Sequence, residues 1–250
     1  MSVGVLILIA LTGLVSSFVS GIFGMAGGQI FLAVLLIYLP VASALVVFAA
    51  VQVASGAWRG WLWRGYVNWP VTWRYIVGSV LTAIAMRYVS FIPSKPMVYL
   101  GIGLMPFAAF ALPKRFAPSI TRPGAPYMCG AFVMLLQLVV GQAGNILDVF
   151  FQASLLDRKT TVATKAVTQL VSQVIRILYF GAFAGDVVTS IPLWAWACFL
   201  VTAIAGTSLA PIVLHRMTDD GFRKWTKIII ACFSAIYVAR GVWLLALGER

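Results

Sequence analysis

Polar positions are scarce along this chain, and the apolar runs between them set its elements. The runs occupy about 3–23, 29–39, 41–57, 72–92, 96–112, 126–140, 145–156, 162–181, 192–213 and 226–248. They are continuously apolar, where a membrane β-barrel would show alternating segments of about ten residues. Several approach the roughly 20 residues a helix needs to cross a bilayer. Lipid offers no hydrogen-bond partner to a bare backbone, so the runs predict helices.

Glycine interrupts this pattern twice. The first break is Ser20-Gly21-Ile22-Phe23-Gly24-Met25-Ala26-Gly27-Gly28-Gln29, and a looser one is Gly141-Gln142-Ala143-Gly144-Asn145. Sliding the chain against itself by 117 positions superposes them, aligning Gly24 with Gly141 and Gly27 with Gly144. The same shift aligns Gln52 with Gln169, Ser55 with Ser172 and Arg59 with Arg176. Self-similarity of this kind marks a duplicated unit. The expected architecture is an all-α polytopic membrane protein of two inverted repeats. Repeat 1 covers 1–120, with a re-entrant hairpin at 3–39 and helices at 41–57, 72–92 and 96–112. Repeat 2 covers 121–250, with a hairpin at 126–156 and helices at 162–181, 192–213 and 226–248. A hairpin plus three crossings leaves each half odd, so the halves must point in opposite directions.

Composition agrees. Hydrophobic residues make up 62% of the 250, only 10% are charged, and mean hydropathy is +1.01. Soluble proteins carry about 25% charged residues. The net charge of +12 could signal nucleic acid, but the basic residues fall mainly in short loops between runs. That is the positive-inside pattern, so no nucleic-acid partner is expected. The basic loops at 58–74, 113–125, 157–165 and 214–227 are expected in the cytoplasm, with both termini outside. Trp58, Trp61, Trp63, Trp69, Trp73, Trp194, Trp196 and Trp225 crowd the run ends like an interfacial belt. Cys129, Cys198 and Cys232 are widely spaced and the single His215 lies in a basic loop. Neither a disulfide framework, a metal site nor a nucleophile–base pair is indicated, and no cofactor or enzymatic activity is expected.

Phe23-Gly24-Met25-Ala26-Gly27-Gly28, followed by an apolar run and Pro40, resembles the glycine-rich signature of the TauE/SafE transporters, also called the toluene-sulfonate uptake permease family. The second copy at 141–145 and the Arg-Gly-Tyr-Val-Asn-Trp stretch at 64–69 are similar to the same family. Ala26 and Asn145 stand where that pattern carries glycine. The resemblance covers essentially the whole chain. It implies a transporter of small sulfur-containing anions in the cytoplasmic membrane: sulfite, sulfoacetate, other organosulfonates or related carboxylates.

The residues suggest how an anion would be held. Unwound backbone inside a membrane is tolerated where it is buried or lines a wet cavity, and a helix restarting after a break presents free N–H groups. Gly24, Ala26, Gly27, Gly28, Gln29, Gly141, Gln142, Gly144 and Asn145 are therefore candidate substrate-binding residues. Gln52, Ser55 and Arg59 share one helix face, as do Lys165, Gln169, Ser172 and Arg176. Lipid would penalise those faces, so they should point inward to the anion. Asp148 lies inside an apolar run beside the second break. It pairs with Lys165 or Arg176, or it carries a coupling proton; the sequence leaves both open. The expected function is a secondary transporter working by alternating access. The alternatives are an anion channel, a non-catalytic membrane subunit, or a transporter of small carboxylates.

Overall fold

The computed structural model describes residues 2–23, 26–111, 118–214 and 219–248. Among these the chain is helical and has no strand. The first half holds α1 (Val3–Phe23), α2 (Ala26–Tyr38), α3 (Val41–Leu62), a 3₁₀ turn at Arg64–Tyr66, α4 (Trp69–Val89) and α5 (Lys95–Ala111). The second holds α6 (Ala125–Val139), α7 (Gly144–Gln152), α8 (Arg158–Gly181), the short α9 (Gly185–Thr189), α10 (Leu193–Leu214) and α11 (Asp219–Ala246). Val3–Ile22, Val41–Leu62, Leu193–Ala210 and Ile228–Ala246 are long and apolar enough to cross a membrane. Trp58, Trp61, Trp63, Trp69, Trp73, Trp194 and Trp225 are exposed, as interfacial residues should be.

Helix ends follow caps more closely than they follow hydropathy. α8 begins at Arg158 because the Asp157 carboxylate accepts the Thr160 N–H at 3.1 Å, whereas the apolar run starts only at 162. Hydrogen bonding from the Thr160 side chain, and then from its N–H, favours the ionised carboxylate and holds Asp157 below its ordinary range. α4 begins at Trp69 behind Asn68, whose side chain accepts from Val71 N–H at 3.2 Å. α3 runs on through Trp58–Leu62, past the end of its apolar run.

Small residues let the helices approach. α1 lies along α10, where a Cβ on Gly21 would overlap Ala210 and one on Gly206 would overlap the Leu14 carbonyl. α4 lies along α6 in the same way, with Gly78 under the Tyr127 carbonyl and Gly130 under the Tyr75 carbonyl. α5 packs on α11 through Gly103 beside Val238 and Gly241 beside Leu100. α2 turns back along α1: Ser16 Oγ donates to the Gly27 carbonyl at 2.6 Å, and Gly27 has no room for a side chain.

α3 and α8 form the centre and run antiparallel, with Gly56 facing Leu170 and Gly60 facing Val167. α3 also contacts α10 through a 2.9 Å hydroxyl bond between Ser55 and Thr207. α8 contacts α4 through a 2.8 Å bond between Ser172 and Tyr75. At one end of this pair the 3₁₀ turn meets the start of α8: Asn68 N–H donates to Thr164 Oγ1 at 3.0 Å, and Lys159 Nζ sits 5.2 Å from the Tyr66 ring. At the other end Ser43 Oγ donates to the Ala184 carbonyl at 2.9 Å, and Tyr179 OH donates to Phe91 O at 2.9 Å.

Candidate functional site

A cavity of about 200 Å³ lies between α3, α8 and the α6–α7 break. Its depth can be read along the antiparallel pair. Arg59, Thr161, Lys165 and Asp148 stand toward the end where the 3₁₀ turn meets α8, and the Lys165 and Asp148 side chains keep 28% and 29% of their exposure. Phe48, Gln137, Gln142, Gln173 and Arg176 form the floor, where Arg176 has no exposure and Gln137 and Gln173 are buried. Gln52 and Gln169 line the walls.

Arg176 is fixed by the break itself. One guanidinium nitrogen, Nη2, donates to the Gly141 carbonyl at 2.6 Å and lies 3.5 Å from that of Gln137. These carbonyls belong to the spent end of α6, where a cation is favoured. Gly141 has φ +89°, a left-handed conformation that glycine adopts without strain and that aims its carbonyl at Arg176. The guanidinium carbon lies 5.5 Å from the Phe48 ring centre. Arg176 Nε and Nη1 have no hydrogen-bond partner among the described residues. A buried guanidinium with two open donors can receive the oxygens of an oxyanion, and leaving it unpaired is costly.

The rest of the lining suits the same ligand. α7 starts behind Ala143 with no side-chain cap, and Ala143 and Gly144 border the cavity, so the positive end of its helix dipole lies beside it. The terminal oxygens of Gln137 and Gln173 lack partners, and a half-turn of either amide presents its donors instead. Arg59 contributes a second guanidinium, whose Nε is also buried without a partner. Asp148 forms an ion pair with Lys165, which offsets the carboxylate's repulsion of an anion.

Gln52, Arg59, Gln142, Gly144, Asp148, Lys165, Gln169 and Arg176 thus come together from two helices and a break. Other candidates stand elsewhere. Ser55 and Ser172 turn away and tie α3 to α10 and α8 to α4. Gly27 serves the α1–α2 contact, and Gly28 lies where an added Cβ would touch Gln142 and Phe48 at 3.4 Å. Gln29 is buried in a narrow cleft with Ile102 and Met105 that adjoins the cavity at Gln142 and Gly144, its backbone carbonyl accepting from Tyr237 OH at 2.6 Å. Gly141 acts through its carbonyl. Gly24 and the side chains of Ala26 and Asn145 lie outside the described residues.

Sequence reasoning missed Ser20, Phe48, Gly56, Thr161, Gln137 and Gln173. Two of these carried a usable signal. Gln137 is a polar residue in an apolar run one turn before Gly141. Gln173 lies four residues after Gln169 and three before Arg176, on the same stripe as Ser172; only the packing of α8 against α4 decides which of the two neighbours faces inward.

A family model described as Sulfite exporter TauE/SafE matches residues 9–238, nearly the whole chain. No curated protein and no solved structure matches it.

Proposed function

Because this chain belongs to the sulfite exporter TauE/SafE family, we propose that it is a secondary transporter moving a small sulfur-containing anion, an organosulfonate or sulfite, across the cytoplasmic membrane by alternating access. The observation that carries the reading is Arg176: a guanidinium without exposure, at the floor of a cavity between helices, with two donors open to a ligand. Its planar fork matches the oxygens of a sulfonate or sulfite. The cavity is below the about 300–1,000 Å³ typical of drug-sized ligands, which favours a small anion.

The inverted repeat, 1–120 against 121–250, belongs to the same proposal. Its support is that packing partners persist when the halves are exchanged. α1 on α10 becomes α6 on α4, α3 on α10 becomes α8 on α4, and α3–α8 and α5–α11 map onto themselves. The shift of 117 also pairs lining residues: Ser20 with Gln137, Gln52 with Gln169, Gly56 with Gln173, and Arg59 with Arg176. We read α1–α2 and α6–α7 as the two re-entrant hairpins. Ile120 N–H donates to Phe150 O at 3.2 Å, which brings the approach to α6 beside the end of α7. The basic end of the α3–α8 pair is cytoplasmic in this reading, with both termini outside, so the cavity faces inward.

The Asp148–Lys165 pair is the proposed coupling element: protonating Asp148 frees Lys165 for the anion and brings a proton along. Asp148→Asn should then remove the dependence of uptake on a pH gradient; an unchanged dependence sinks that role. The substrate is tested by thermal stabilisation of purified protein and counterflow in proteoliposomes, using sulfite, sulfoacetate, alkanesulfonates, sulfate and carboxylates. Stabilisation and saturable exchange by at least one of these sulfur oxyanions is the expected result. Stabilisation by carboxylates alone overturns the sulfur assignment, and large unitary currents overturn the transporter in favour of a channel.

A further inference from the structure

Charged residues lining the cavity are Arg59, Asp148, Lys165 and Arg176. They are not evenly spread. Arg176 packs over Phe48, and Arg59 follows Phe48 by eleven residues on the same helix, which is about 16 Å of helical rise. Lys165 precedes Arg176 by the same eleven residues on α8 and is neutralised by Asp148. The floor therefore holds one uncompensated positive charge, surrounded by the uncharged amides of Gln137, Gln142 and Gln173. Arg59 supplies the other free cation nearer the rim; the residue is half-buried and its Nε is out of contact with solvent.

From this separation we infer that the deep site accepts a singly charged oxyanion, a monosulfonate or hydrogensulfite, and excludes dianions, while Arg59 draws anions into the mouth. The inference rests on the transporter reading above. A monoanion at the floor cancels Arg176 and leaves the amides to bind its remaining oxygens. A dianion there leaves one negative charge without a counter-charge where water is excluded, and buried unpaired charge is strongly disfavoured. Nearer the rim, Arg59 raises the local anion concentration whatever the ligand's charge.

Ethanesulfonate and ethane-1,2-disulfonate test the rule, because they share a head group and differ in charge. Wild-type protein should bind the monosulfonate more tightly by roughly tenfold or more. Adding a charge near the floor should reverse the preference. Gln173→Lys does so at the floor; Gln52→Lys does so one turn above Phe48 at a half-buried position, and serves if the first variant misfolds. Arg59→Gln should raise KM for the monosulfonate and weaken its salt dependence. Equal or tighter binding of the disulfonate by wild type, or an unchanged preference in folded lysine variants, overturns the inference. If neither sulfonate binds but acetate or succinate does, the sulfur assignment fails separately. The acetate-to-succinate ratio then decides the charge rule: tighter acetate binding upholds it, and equal or tighter succinate binding overturns it.

Discussion

At the residue scale the chemistry gathers on Arg176. Its Nη2 bond to Gly141 orients the guanidinium, and Nε and Nη1 are left without partners among the described residues. Arg176→Gln should abolish anion-induced stabilisation and reduce flux by roughly tenfold or more, since an amide restores neither the charge nor the fork. Arg176→Lys keeps the charge but loses the paired geometry, so it should retain weak binding with a raised KM. Equal stabilisation of Arg176→Gln and wild type would remove Arg176 from the site. The sequence marked Arg176 because it is basic within an apolar run. It did not separate Ser172 from Gln173, since neighbours on a helix differ by only about 100° and both fit the polar stripe.

At the element scale the contacts depend on glycines whose neighbours are backbone. Gly78 and Gly130 each face a carbonyl of the opposing helix, so neither neighbour can yield by rotating a side chain. Gly78→Ala and Gly130→Ala should each destabilise the protein by about 1–3 kcal/mol. A lowered melting temperature of detergent-solubilised protein would show it, and Gly65→Ala, with open space around it, should leave that temperature unchanged. The cap of α8 adds a pH term. The Asp157 carboxyl titrates below its unfolded value, so its contribution is complete above the ordinary aspartate pKa and disappears as pH falls through the folded one. Asp157→Ala should therefore reduce stability at neutral pH and leave acid stability nearly unaltered, as thermal unfolding across that range would record.

At the scale of the whole molecule the two halves meet at α3–α8, and the ends of that pair define two faces. Gly65 and Lys159 belong to one face, and Ser190 follows α9 at the other. Single cysteines at these positions, in a background without the three native cysteines, should label accordingly. An impermeant thiol reagent should reach Gly65→Cys and Lys159→Cys from the cytoplasmic side and Ser190→Cys from outside. Labelling of the first two from opposite sides would dismantle the proposed topology. Loop charge alone predicts such a grouping, because lipid forces charged loops to the water and the basic ones to one side.

The sequence by itself determined the solvent and the secondary structure, since unbroken apolar runs must be helices in lipid, and its glycine breaks resemble the signature of a transporter family. Those are local or compositional properties, so they need no partner to be read. The tertiary structure decided which polar residues share a cavity. Ser55 and Ser172 went to neighbouring helices and Gln29 to a narrow cleft beside the cavity, while Gln137 and Gln173 came to the floor. It also decided that Lys165, not Arg176, answers Asp148. The reason is physical: a helix stripe spans a wide arc, and its position relative to the next helix is set by where glycines allow close approach, which no single stripe contains.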